Sequence, residues 1–134
     1  MTNNQASGEV QSVPRFALIL RPSAVFEIIA FAGDSPTDLA NLYAWVGSPN
    51  ITVHDLSSKV SVWGIDAGEA HGVENKAAVS IYAAIASDTR EFRGTVVFTG
   101  IDERDRTTGL TLDHCAEILE IVGIHLKSTG CPRG

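Results

Sequence analysis

Cysteine is scarce in this sequence, with only Cys115 and Cys131 in 134 residues. Two cysteines do not make a disulfide framework, and neither belongs to a C-x-x-C pair, so a reducing compartment is expected. Basic charge is scarce as well. Ten Lys and Arg stand against sixteen Asp and Glu, a formal net charge of −6. Non-specific nucleic-acid and anionic-membrane binding both need a basic footprint, which is missing. The acidity is too mild for imitation of DNA by charge density. No apolar run nears the roughly 20 residues of a membrane-spanning helix. The opening MTNNQASGEVQSVP has neither a basic n-region nor an apolar h-region, so no signal peptide is expected. A cytoplasmic protein without a membrane partner is the expectation.

Catalytic signatures are also missing. There is no G-x-S-x-G, no H-E-x-x-H and no paired-carboxylate motif. His54, His71, His114 and His125 are scattered. His114 and Cys115 are adjacent, so on a helix they point about 100° apart and form no ready pair. His54 and Asp55 point to opposite faces of a strand. A non-enzymatic protein without cofactor follows as the expectation.

What is present is globular. Hydrophobic residues make up 44% and charged residues 19%, outside the disordered range. The length suits one domain. Polar residues 1–13 read as a disordered tail, 14–127 as a single α+β domain, and 128–134 as a frayed tail. RFALIL and VFEIIAFA read as two strands joined by Arg21-Pro22-Ser23. Ser35, Pro36 and Asp38 open a helix that Gly47 closes, with Leu39, Leu42, Tyr43 and Val46 as its apolar stripe. Two more strands span about 51–56 and 60–65, with Ser57-Ser58-Lys59 as the turn. Alternation puts Ile51 and Val53 on one face and Thr52, His54 and Leu56 on the other. A tight register would set Trp63 on the face of His54. Asn75 caps a second helix with the stripe Ala78, Ile81, Tyr82 and Ile85. Residues 94–101 read as a central strand and 102–109 as a charged loop. Thr111 caps the last helix, whose inner face is Leu112, Cys115, Ala116, Leu119 and Val122. The order β-β-α-β-β-α-β-α predicts a mixed sheet with packed helices.

The stretch GIDAGEAHGVENKAA, residues 64–78, invites a functional reading. Gly64, Gly68 and Gly72 are four apart, but no Gly-Lys-Ser/Thr follows, so this is not a phosphate-binding loop. It is not G-x-G-x-x-G either. Asp66, Glu69, His71 and Glu74 offer ligand atoms, yet they match neither a zinc nor a calcium pattern, and no metal is expected. An irregular connection accounts for the glycines. The competing reading is a ligand site built from Asp66, His71 and Asn75, because helix N-termini attract anions. His54 and Trp63 form a separate candidate recognition patch, against which stands plain burial of the Trp.

FALILRP, the helix ending LYAWVG, ITVHDL, GID, NKAAV and GTVVFTG follow one another over about residues 16–122. In this order and spacing the chain resembles a small domain-of-unknown-function family, the DUF-3846 type, of phages, plasmids and actinobacteria. Val46 and Gly47 match its Val-Gly-Gly, while Ser48 departs. Asp66 matches one member of its acidic pair, while Ala67 departs. Asn75 and Ala78 match its Asn-Pro-x-Ala-Thr, while Lys76 and Val79 depart. Gly94 and Gly100 match the glycines around its last strand. The resemblance implies a phage or mobile-element setting and supplies no mechanism. An accessory protein that binds a host protein is one expectation, which an exposed sheet edge or apolar patch and formation of a homo-oligomer would support. A small-ligand binder, with nucleotides among the candidates, is the alternative, and an uncharacterised enzyme is the third.

Overall fold

The computed structural model describes residues 13–33, 35–65 and 72–126. Of the two expected tails, residues 1–12 and 128–134 lie outside these. Among the described residues nine elements follow one another: β1 (Phe16–Leu20), β2 (Phe26–Ala30), α1 (Pro36–Val46), β3 (Ile51–Asp55), β4 (Val60–Ile65), α2 (Lys76–Ala86), β5 (Val96–Ile101), β6 (Thr107–Thr108) and α3 (Leu112–Glu120). The sheet runs β2-β1-β5-β4-β3, and short β6 pairs with the end of β5. The domain is α+β, as the element order predicts.

Among the described residues every pairing is antiparallel, where a mixed sheet is expected from the sequence. The reason lies between β4 and β5. The Asn75 N–H donates to Phe92 O at 2.7 Å, and Glu74 bridges Arg93. This closes the α2 excursion on itself. The chain re-enters the sheet at the end where β4 left it, so β5 must run back along β4.

β1 and β5 are buried on both faces, which is why FALIL and VVF read as unbroken apolar runs. Leu18, Leu20, Val62, Val96 and Phe98 face α2 and α3, meeting Ile81, Tyr82, Cys115 and Leu119. Ala17, Ile19 and Val97 face α1, meeting Leu42 and Val46. The sheet is thus the middle of three layers.

Helix ends obey local chemistry. Ser35, Asn75 and Thr111 cap the three helices through side-chain oxygens that accept from Asp38, Ala78 and His114 N–H. Helix faces are less local. In α1, Leu39 and Tyr43 are 41% and 47% exposed, while Trp45 packs beside the buried Leu42 and Val46. Trp45 meets Phe31 at 6.0 Å between ring centroids, and Asp38 accepts from Gly33 N–H at 2.9 Å; together they set the roll of the helix. In α3, Leu112, expected on the inner face, is 49% exposed, and Ile118 is buried in its stead. The stripe of α2 is as predicted: Ala78, Ile81 and Tyr82 are buried, and Ile85 packs on the same cluster.

The charged loop hides β6. Asp102 accepts from the N–H groups of Arg104 and Arg106 at 2.8 and 2.9 Å, and the chain reverses through Asp105 at φ 61°. Thr107 and Thr108 then pair with Ile101 and Gly100.

Candidate functional site

Where the sheet meets the start of α2, the face of β3 and β4 turned toward the helices presents Thr52, His54 and Gly64. Gly64 stands directly across from Thr52 and contributes no side chain. The opposite wall is the extended segment Arg90–Arg93, just before β5. Between wall and floor is a cleft of about 190 Å³.

Phe92 anchors the wall. It is 6% exposed, lies 5.6 Å from the Tyr82 ring and meets the His54 ring edge-on at 6.3 Å. The charged neighbours of Phe92 line the opening. Arg93 pairs with Glu91, and its Nη1 donates to Gly72 O at 2.9 Å. Arg90 sits over Tyr82, 5.5 Å from the ring centroid. Burial holds the His54 imidazole below its usual pKa of 6.5, and the Arg90 charge lowers it further against the weaker opposing pull of Asp55. His54 is therefore a neutral donor or acceptor at neutral pH.

The residues singled out in the sequence do not converge here as a set. His54 lines the cleft. Trp63 does not: it stands opposite Val53, one residue out of step with the His54–Val62 pair, so it occupies the α1 face. There its indole N–H donates to Thr99 Oγ1 at 2.8 Å. The shared patch of His54 and Trp63 is ruled out by strand register: Val62, opposite His54, shares its face, and the next residue, Trp63, points to the other. Asn75 is fully buried, and its amide is consumed by structure. Its Oδ1 caps Ala78 N–H at 3.1 Å, and its Nδ2 donates to Leu20 O at 3.0 Å and Gly94 O at 2.9 Å. It holds the cleft wall in place and offers no free group to a ligand. Asp66 and His71 lie outside the described residues. Among those residues, no three His, Cys, Asp or Glu are grouped to hold a metal ion.

Arg90, Phe92 and Arg93 are the residues that sequence reasoning passed over. Their signal is R-E-F-R, an aromatic set among alternating charges just before a central strand.

Two other concavities differ in character. A wider one of about 520 Å³ lies at the opposite end of the sheet, where Asp102, Glu103 and Asp105 outnumber Arg15 and Lys59. A third, about 200 Å³, lies on the α1 face between Val53, Trp63 and Thr107. Comparison of the chain with protein-family profiles, curated proteins and solved structures finds no match.

Proposed function

We propose that this protein acts by binding, not by catalysis, and that it takes a small ligand in the cleft between β3–β4 and Arg90–Arg93. One observation carries the reading. In a chain of net charge −6, this cleft is lined, among the described residues, by two arginines against one glutamate. Its volume falls below the roughly 300 Å³ at which drug-sized sites begin, so a whole nucleotide does not fit, although one group of a larger molecule does. Purified protein should retain a small molecule, detectable by mass spectrometry after denaturation. Gly64→Val, which puts a side chain into the floor, should lose it. Equal retention by parent and variant refutes the placement.

Docking on another protein is the second reading, in keeping with an accessory role in the host cytoplasm for a mobile-element protein. It draws on β3, which lies at the edge of the sheet among the described residues. β3 has no Lys or Pro, the residues that commonly blunt an edge, and Val53 on it is 43% exposed. A strand from a host protein or a second copy could extend the sheet there. Val53→Lys should abolish such capture and leave the cleft ligand in place.

A further inference from the structure

The two arginines of the cleft are not equivalent. Arg93 is committed to Glu91 and to the Gly72 carbonyl. Among the described residues Arg90 has no carboxylate partner and no side-chain hydrogen bond; its guanidinium sits over the face of Tyr82. A guanidinium seated over a ring keeps its N–H groups for a planar or tetrahedral acceptor. Tyr82, Phe92 and His54 continue from Arg90 as a chain of ring contacts, so Arg90 and His54 are held in fixed relation. At Gly64 a Cβ would come no closer than 3.5 Å to Val96 Cγ1 and 3.9 Å to Phe92 Cδ1. A side chain there would sit in ordinary van der Waals contact with both, at a backbone geometry any residue could adopt, and glycine leaves that volume to the cleft.

We propose that the cleft binds a small oxyanion, a carboxylate or phosphoryl group, through the guanidinium of Arg90 and the imidazole of His54. This rests on the small-ligand reading and names its chemistry. Burial, and after it the Arg90 charge, hold His54 neutral. An anion between the two groups reverses that field, so His54 takes up a proton as the anion enters. Among the described residues, the charged and titratable groups around the imidazole are Arg90, Glu91 and Arg93 on the facing segment, Tyr82 on α2 and Asp55 on its own strand. Of these, only Arg90 and Arg93 are cations, and Arg93 is already paired.

Inorganic phosphate and acetate, titrated separately at constant ionic strength, provide the test, followed by amide and imidazole NMR. At least one of them should move the Thr52, His54 and Gly64 signals and raise the His54 pKa. Phosphate alone assigns a phosphoryl group, and acetate alone assigns a carboxylate. Arg90→Gln should weaken binding about tenfold or more, the usual cost of a lost charge-assisted bond, with Arg90→Lys retaining part of it. Arg90 is exposed, so neither variant threatens the fold. Absence of response to both anions overturns the inference, as does unchanged affinity in Arg90→Gln. A set of neutral fragments separates the two levels. Fragments that bind the cleft when both anions fail leave the small-ligand reading standing without the oxyanion; no response to any compound removes both.

Discussion

Replacing Asn75 by Ala should be among the most damaging single changes in this domain. The side chain is fully buried and makes three hydrogen bonds at 2.9–3.1 Å. Loss of the helix cap costs about 1 kcal/mol. The Leu20 carbonyl, in a buried bond, loses a donor at about 1–3 kcal/mol, and the half-buried Gly94 carbonyl loses another at about 1 kcal/mol. The sum is about 3–5 kcal/mol. For a domain of this size that corresponds to a fall in melting temperature of about 15 °C. Asn75→Asp sharpens the test. It keeps the cap acceptor but loses both amide donors and sets a carboxylate against two carbonyls. It should therefore be no better than Ala at neutral pH, and should recover in part in acid, where a protonated carboxyl can donate once. Urea denaturation of parent and both variants at two pH values measures this. A loss under about 1.5 kcal/mol for Asn75→Ala would refute the reasoning, because it would mean that the tie from α2 to β1 and β5 contributes nothing beyond the cap.

Four further outcomes are expected. Burial pushes the Cys115 thiol up to about 11 from 9.0, so it should resist alkylation at mildly alkaline pH until the protein unfolds, and stability should fall as pH rises from 9 toward 11; Cys115→Ser should cost about 1–3 kcal/mol in a denaturant melt. His54 has a folded pKa below its ordinary 6.5, so its contribution is complete above that pH and is lost as pH falls below it, which His54→Gln should abolish in a stability–pH profile. Ala24 holds φ 67° in the turn between β1 and β2, and Ala24→Gly should raise stability by about 1 kcal/mol. Trp63→Phe should cost about 1 kcal/mol through the lost bond to Thr99, measurable by urea melts, while leaving phosphate titration of the cleft unchanged.

The helix ends were legible because capping is local. A Ser, Asn or Thr bonds an N–H three residues on, and both partners stand in one short stretch of sequence. The strand assignments were legible from β-branched and aromatic runs, and the doubly buried β1 and β5 from their lack of polar alternation. The candidate site was legible only in part. His54 could be picked out, but the stretch that drew the eye, with Asp66 and His71, did so through glycines and acids of kinds common in any connection. Arg90 and Phe92 carried only a faint pattern, since their partners Tyr82 and His54 stand 8 and 38 residues away in the chain.

Composition and local pattern by themselves determined an acidic α+β domain, its principal strands, and the caps of its three helices. Tertiary structure decided how each helix rolls, which face Trp63 takes, and where the cleft opens. Leu39 and Leu112 fit an apolar stripe as well as Trp45 and Ile118 do. Only the surface each helix lands on selects among them, and that surface is assembled from strands far apart in sequence. Register decided the rest. A shift of one residue in the β3–β4 pairing exchanges the faces of every side chain on one strand, and no local preference distinguishes the two alignments as strongly as burial of Val60 and Val62 against α2 and α3 does.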